Sequence, residues 1–271
     1  LLGSQVPIAV AHALGTGQLT LCILGDAAME EDYVLGAIGF AATQKAPIIF
    51  ICSDNNLSLL TTVDVRRSWK AIDVVNAHGI QATEITDDPW LIMHHIKMAI
   101  AESLPAFLNI HQTRVLWHAG TGCDGIPEWD RFQLVKDELH NLWMSNPAER
   151  IEKETEEYIN ALWQKKSSEQ NPELPRAKEF TYIDPNYKYV RQPIHYERTQ
   201  KIKEVIREFT REHLKNRNGI AMGQALTAVG WVGGTVPEMK IEDGLVELST
   251  ADVAGSGIAV GYALAGRRPI Y

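Results

Sequence analysis

Polar side chains end two neighbouring apolar segments in the stretch LGDAAMEEDYVLGAIGFAATQKAPIIFICSDNN, residues 24–56. Asp26 follows the apolar run QLTLCILG, and Asn55 follows the run APIIFICSD. Each run has the length and composition of a buried strand. The segment 29–45 between them has helical composition and length. A strand, a helix and a strand at this distance predict a βαβ unit with parallel strands.

The types of these two side chains point to a ligand site. The carboxyl ends of adjacent parallel strands lie on one edge of a sheet, where ligands bind, so we expect Asp26 and Asn55 to be close in space. A carboxylate and an amide carbonyl offer only oxygen donors, which suits Mg²⁺ or Ca²⁺ with phosphate oxygens in the remaining positions. Backbone amides near 28–30 can also hold a phosphate. The alternative is that Asp26 caps a helix and Asn55 shapes a turn.

Composition bounds the class of protein. The 271 residues are 45% hydrophobic and 22% charged, as in ordinary globular domains. The net charge of −8 argues against a dedicated nucleic-acid binder, and no apolar run is long enough to span a membrane. Three cysteines, Cys22, Cys52 and Cys123, show no CxxC spacing. This odd, scattered set predicts a reducing, cytoplasmic location.

The pattern along the chain predicts two α/β units. We expect a first domain over 1–166, a proline-rich linker over 167–195 and the beginning of a second domain over 196–271. A small-residue helix is predicted to open the chain and to end at Gly15. The chain begins without Met and ends inside an apolar pattern, so we expect it to be part of a longer polypeptide.

The stretch 25–56 resembles the thiamine-diphosphate motif of the transketolase-like superfamily. It is most similar to the decarboxylating component of the 2-oxo acid dehydrogenase complexes. That resemblance implies a parallel-sheet thiamine-diphosphate-binding fold, with Asp26, Asn55 and the backbone carbonyl of Leu57 as Mg²⁺ ligands. The motif's second glycine is Ala27 in this chain. The resemblance implies the cofactor-binding residues Gly25, Asp26, Ala27, Ala28, Asn55 and Leu57.

Two further segments carry the same resemblance. The loop TRVLWHAGTGCDGIPEW, 113–129, is similar to the family's active-site loop, which places the catalytic histidine on His118 and an arginine on Arg114. The segment ELSTADVAGSGIAVGYALAGRRPI, 247–270, resembles the start of the family's β subunit. The family's glutamate, which contacts the aminopyrimidine ring, falls on Asp252. The chain therefore resembles a fused α–β form, with Asp252 both catalytic and cofactor-binding.

The resemblance implies oxidative decarboxylation of a 2-oxo acid that depends on thiamine diphosphate and Mg²⁺. It also implies acyl transfer to a lipoyl acyltransferase partner and a homo-oligomeric assembly. A transketolase- or synthase-type carboligation uses the same cofactor and stays open as an alternative. A second alternative is a catalytically degenerate scaffold subunit. It is favoured by Ala27, by Asp252, by the altered loop around His118 and by Ala225, which stands where the family has an acidic residue. The small-residue helix over 253–266 fits either a subunit interface or packing within its own domain.

Overall fold

The computed structural model describes most of the chain, and its residues form two compact units. One unit comprises Leu1–Arg131 and Gln200–Tyr271, and the other comprises Phe132–Thr199. The predicted His118, Ala225 and most of the linker 167–195 lie outside the described residues. Those described are 2–59, 61–102, 104–116, 127–169, 201–215, 218–224, 226–227, 231, 233–239, 241–248 and 251–271.

A four-stranded parallel sheet organises the first part of the larger unit. Its strands are β1 (Thr20–Gly25), β2 (Ile48–Asp54), β5 (Gln81–Thr86) and β6 (Ala106–His111), in the order β1-β2-β6-β5. The two central strands, β2 and β6, are nearly continuous apolar runs because helices cover a central parallel strand on both faces. The predicted parallel arrangement of β1 and β2 is present, with Gly25 beside Ser53.

Helices connect and cover these strands. Those of the larger unit are α1 (Gln5–Thr16), α2 (Asp32–Gln44), α3 (Val63–Arg66), α4 (Ala71–Ala77), α5 (Pro89–Glu102), α8 (Ile202–Lys215) and α9 (Asp252–Leu264). The smaller unit contains α6 (Arg131–Asn141) and α7 (Ser145–Ser168). A 3₁₀ turn, Asp26–Glu30, joins β1 to α2. Among the described helices, none is both long and apolar enough to cross a membrane.

Two short sheets complete the fold. A hairpin pairs β3 (Leu57–Ser58) with β4 (Thr61–Thr62). A parallel sheet in the order β8-β7-β9 contains β7 (Gly219–Gly223), β8 (Leu245–Glu247) and β9 (Arg268–Ile270). Side chains of this second sheet and of α9 belong to the same hydrophobic core as β1, β2, α1 and α2. The regions before residue 132 and after residue 200 therefore fold as one packed body.

The first helix does not end where the sequence predicted. It continues through Gly15 to Thr16, and Gly17, with a φ of 70°, supplies the left-handed cap. Gly15 has a packing role instead. A Cβ at Gly15 would lie 2.7 Å from the Cβ of Ala265, so the missing side chain lets α1 approach the end of α9.

Helix α9 lies against α1 of the same chain. A Cβ at Gly261 would lie 2.3 Å from the carbonyl oxygen of Ile8, and one at Gly257 would lie 2.6 Å from Pro7 Cγ. The small residues of α9 are thus required for close helix–helix contact. This contact joins the two segments of the larger unit.

We predict that Gly261→Ala destabilises the protein by about 1–3 kcal/mol, because the added methyl group overlaps the α1 backbone. Urea denaturation followed by circular dichroism measures this loss. The exposed substitution Ala263→Ser on the same helix is the control and should change stability by less than about 0.5 kcal/mol. Equal effects of the two substitutions would contradict the packing described for α9.

We also predict a loss of stability at alkaline pH that depends on two buried thiols. Burial raises the pKa of Cys22 from 9.0 to about 12, and burial together with the nearby Asp54 and Asp26 raises the pKa of Cys52. Above pH 9.0 the unfolded chain loses these protons while the folded chain keeps them. The free energy of unfolding should therefore fall as pH rises from 9.0 towards 12, by up to about 1.4 kcal/mol per pH unit for each thiol.

Urea titrations over this pH range measure the slope. A Cys22→Ala, Cys52→Ala double variant provides the comparison and should show a shallower slope. An unchanged slope would mean that other groups control alkaline unfolding.

Candidate functional site

The carboxyl edge of the main sheet carries two buried carboxylates. Asp26 directly follows β1 and Asp54 ends β2, and they are adjacent because Gly25 and Ser53 are paired. Their exposed fractions are only 3% and 8%. Two charges at one edge of a hydrophobic core need partners, because an unpaired buried charge is costly.

The loop after β2 turns sharply. The side-chain oxygen Oδ1 of Asn55 accepts a hydrogen bond from the Leu57 N–H at 3.0 Å, so Asn55 shapes the turn, as the alternative interpretation expected. Asn56 and Leu59 have φ values of 62° and 54°, which are unusual for residues other than glycine. The β3–β4 hairpin that follows packs strand β3 against the 3₁₀ turn of Asp26. Asp26 and Leu57 therefore lie in contacting elements.

A salt bridge neutralises Asp26. Arg66, at the end of α3, pairs through Nη2 with the Asp26 carboxylate and through Nη1 with Glu30 Oε1 at 2.5 Å. The Arg66 side chain is only 10% exposed. Loss of one partner from such a buried pair typically costs about 3–5 kcal/mol. The carboxylate that the sequence assigned to a metal is thus bound by a guanidinium.

A second arginine supports the same turn. Arg67 Nη1 donates to the backbone oxygen of Asp26 at 3.1 Å and lies 3.7 Å from Glu30 Oε1. Its guanidinium carbon lies 4.6 Å from the ring centroid of Trp69, a cation–π contact. The Nε atoms of Arg66 and Arg67 are both buried and have no hydrogen-bond partner in the described part of the chain. Each of these Nε donors is therefore unpaired and closed to solvent in this arrangement.

Asp54 belongs to a separate hydrogen-bond network. Its Oδ2 accepts from Asn109 Nδ2 at 3.0 Å, and its Oδ1 accepts from the Asn56 N–H at 2.9 Å. Asn56 in turn accepts from the Val63 N–H, at the start of α3, through both its backbone and its side-chain oxygen. Asp54 thereby fixes the loop that delivers Arg66 to Asp26.

Asp252, which was predicted to contact the aminopyrimidine ring, lies in the larger unit at the start of α9. It is exposed at the first turn of α9, where its Oδ1 accepts from Gln224 Nε2 at 3.0 Å. It lines a pocket of about 430 Å³ together with Asp32 and Tyr33. Those two residues begin α2, immediately after the 3₁₀ turn that Asp26 opens. The residues lining this pocket do not include those proposed for the diphosphate.

The remaining predicted residues are placed as follows. Gly25 ends β1, while Ala27 and Ala28 lie within the 3₁₀ turn, where Ala28 is buried. Arg114 donates through Nη2 to the Leu59 carbonyl oxygen at 2.8 Å, so it braces the hairpin loop. The position of His118 is not described.

The donor set suits a hard divalent cation, but its arrangement does not. Asp26, Asn55 and the Leu57 carbonyl offer only oxygens. However, Arg66 holds the Asp26 carboxylate, and Asn55 Oδ1 is engaged by the Leu57 N–H. A Mg²⁺ ion does not fit these residues as they are arranged. A diphosphate suits the charge of the site better, because the guanidinium groups of Arg66 and Arg67 both lie at the 3₁₀ turn.

Sequence reasoning missed Arg66 and Arg67. Their only signal is an adjacent basic pair in the segment VDVRRSW, and the chain repeats such a pair at 267–268. Arg66 pairs with a residue 40 positions away, which no local pattern predicts.

Comparison with solved structures identifies the fold. Transketolase from Campylobacter jejuni matches with a TM-score of 0.63 at 17% identity, over 99% of this chain and 46% of that one. A transketolase variant from Pichia stipitis matches with a TM-score of 0.56 at 16% identity, over 98% of this chain. The predicted parallel-sheet α/β fold is confirmed, because these transketolase structures share it.

Sequence comparison shows which class of protein this chain is similar to. Residues 2–103 match the family described as "Dehydrogenase E1 component". The chain is 25% identical over 205 residues to 2-oxoisovalerate dehydrogenase subunit alpha 1, mitochondrial, of Arabidopsis thaliana. The aligned region covers 71% of this chain and 42% of that protein. It is 33% identical to the somatic pyruvate dehydrogenase E1 alpha subunit of Macaca fascicularis, over 24% of this chain and 18% of that one. The resemblance to the decarboxylating dehydrogenase components is confirmed, and the chain spans less than half the length of these relatives.

We predict that Asp54→Ala destabilises the protein by about 2 kcal/mol or more, because it leaves the buried Asn109 amide and the Asn56 N–H without their acceptor. Glu84→Ala is the matched control. Glu84 is also a carboxylate on this sheet and lies 2.7 Å from His111 Nε2, but its side chain is 36% exposed. Its loss should cost less than about 1 kcal/mol. Urea denaturation of both variants measures the difference, and similar losses would contradict the proposed network.

Proposed function

We propose that this chain is a thiamine-diphosphate-dependent enzyme component that decarboxylates a 2-oxo acid, as part of a 2-oxo acid dehydrogenase system. The observation that carries the proposal is the match of residues 2–103 to the dehydrogenase E1 component family. The placement of Asp26 and Leu57 in contacting elements at the carboxyl edge supports it.

In this proposal two groups of residues in the larger unit bind the two ends of the cofactor. The 3₁₀ turn with Gly25, Ala27 and Ala28, together with Arg66 and Arg67, holds the diphosphate. Asp252 accepts a hydrogen bond from the aminopyrimidine end and orients it. Thiamine diphosphate supplies the electron sink for decarboxylation, while the protein supplies position and electrostatics.

His118 is proposed to move protons at the substrate, as the similar loop of the family implies. Arg114 stands four residues before His118 and braces the Leu59 carbonyl, which links the catalytic loop to the hairpin.

The metal is the one part of the predicted site that these contacts do not favour. A Mg²⁺ ion bound to Asp26, Asn55 and Leu57 would lie beside the Arg66 guanidinium, which already pairs with the Asp26 carboxylate. No catalytic step is therefore assigned to a metal here.

The assembly follows from the same resemblance. We propose that the acyl group passes to a lipoyl acyltransferase and that the complete polypeptide forms a homo-oligomer. The free thiols Cys22 and Cys52 are consistent with a reducing compartment. We propose a cytoplasmic location on that ground, although the relatives named above are mitochondrial proteins.

A scaffold role is the second candidate, because Arg66 closes the Asp26 carboxylate and Asp252 is one methylene shorter than the family's glutamate. A carboligase of the transketolase type is the third. Consumption of pyruvate or a branched-chain 2-oxo acid with an artificial electron acceptor separates the dehydrogenase from the carboligase. Absence of any cofactor binding would favour the scaffold.

We predict that the full chain binds thiamine diphosphate in a calorimetric titration and that Arg67→Met weakens this binding by about tenfold, since a charge-assisted hydrogen bond contributes about 1.5–3 kcal/mol. Glu208→Gln, an exposed substitution on α8, is the control and should leave the affinity unchanged. Thiamine without the diphosphate should bind much more weakly than the cofactor. Equal affinity for the two ligands would contradict a diphosphate site.

We predict that Asp252→Ala abolishes hydrogen–deuterium exchange at the thiazolium carbon of bound thiamine diphosphate. Asp252→Glu should accelerate the exchange relative to the native chain, because a shortfall of about 1 Å in a catalytic contact can cost on the order of 10²-fold. Proton NMR of quenched samples measures the rate, and calorimetry checks that each variant binds the cofactor. Unchanged exchange in Asp252→Ala would remove Asp252 from the mechanism.

A further inference from the structure

The Asp26 carboxylate is paired with a cation that belongs to the chain itself. We propose that Arg66 takes the place of a divalent metal ion at Asp26, so that this site binds a diphosphate through arginine donors rather than through a metal. The diphosphate part of this inference rests on the proposed function, whereas the exclusion of metal does not.

Burial makes the Arg66 contact exclusive. Asp26 is 3% exposed, and the Arg66 and Arg67 side chains are 10% and 4% exposed. Arg66 Nη2 binds Oδ2 of the Asp26 carboxylate, so a metal ion on either oxygen of that carboxylate would lie close to the guanidinium. Two cations this close repel strongly in a poorly screened environment. Metal binding at Asp26 therefore requires the guanidinium to move away.

The surrounding structure holds Arg66 in this position. Val63, at the start of α3, donates its N–H to Asn56, and Asn56 is itself bound by the buried Asp54. Glu30 binds the other terminal nitrogen of Arg66 at 2.5 Å. Removal of Arg66 from Asp26 would thus break a second ion pair and disturb the hairpin connection.

The second proposed metal ligand is also engaged. Asn55 Oδ1 accepts from the Leu57 N–H at 3.0 Å, which is the geometry of an Asx turn. Two of the three groups predicted as metal ligands, Asp26 and Asn55, consequently have a partner within the protein.

Unused donors indicate what the site binds instead. Arg66 and Arg67 each have a buried Nε with no partner in the described part of the chain. The two guanidinium groups both lie at the 3₁₀ turn, and their unpaired Nε donors, which are closed to solvent, become available to a ligand when the side chains turn. Guanidinium groups bind phosphate oxygens through directed hydrogen bonds, which matches a diphosphate.

Binding of Mn²⁺, followed by electron paramagnetic resonance in the absence of any cofactor, tests the exclusion of metal. The native chain should show no Mn²⁺ site at Asp26. Arg66→Met removes the guanidinium but keeps an apolar side chain, and it should raise Mn²⁺ affinity by more than about tenfold by exposing the buried carboxylate. The gain should disappear in Arg66→Met, Asp26→Asn. Arg67→Met is the matched control and should gain nothing, because Arg66 still binds the Asp26 side chain.

Thermal unfolding provides a second readout that does not depend on the cofactor. Arg66→Met should unfold at a lower temperature than the native chain, and excess Mn²⁺ should restore part of the loss. The native chain should unfold at the same temperature with Mn²⁺ or with chelator. If Arg66→Met does not fold, this native comparison and the native Mn²⁺ titration still test the proposal. Tight Mn²⁺ binding by the native chain that is lost in Asp26→Asn would overturn it.

The diphosphate part has its own measurement. Calorimetry should give the same affinity of the native chain for thiamine diphosphate with Mg²⁺ as with excess chelator. Binding only with Mg²⁺ would overturn the arginine site while keeping the proposed function. Failure to bind under either condition, with the Mn²⁺ results as expected, would refute the proposed cofactor and leave the exclusion of metal standing.

Discussion

Two buried carboxylates at the ends of adjacent parallel strands set the constraint that the rest of the site must satisfy. Asp26 and Asp54 follow strands whose side chains form the core, so water cannot compensate their charges. The fold provides a partner for each carboxylate. Asp54 receives hydrogen bonds from Asn109 and the Asn56 N–H, and Asp26 receives the guanidinium of Arg66. The two sets of contacts are coupled, because the Asp54 network positions Val63 at the start of α3, the helix that ends at Arg66.

The main sheet was predictable from the sequence because buried parallel strands are continuous apolar runs, and β1 and β2 read directly as such. Asp26 and Asn55, which follow these two runs, identified the carboxyl edge of the sheet, because parallel strands end on one edge. Local patterns could not reveal the Arg66–Asp26 pair, since its partners are 40 residues apart and the intervening hairpin has only two residues per strand. Gly15 was misread as a helix end because a packing glycine and a capping glycine look alike in sequence.

The Arg66–Asp26 contact changes how the predicted cofactor motif is interpreted. The family resemblance places a metal at Asp26, whereas the chain supplies its own cation there. The contact between α1 and α9 holds the start of the second predicted domain against the first, and Asp252 opens α9 beside the first turn of α2. Both predicted ends of the cofactor site therefore lie within one packed unit, and Arg66 pairs with Asp26 at one of them.

A crystal structure of the native chain grown with Mn²⁺ and thiamine diphosphate tests the central claim most directly, because anomalous scattering locates the metal. The account predicts that the Arg66 guanidinium stays on the Asp26 carboxylate, with the diphosphate against Arg66 and Arg67 and no anomalous peak at Asp26. An anomalous peak bonded to Asp26 and Asn55, with Arg66 turned away, would contradict it.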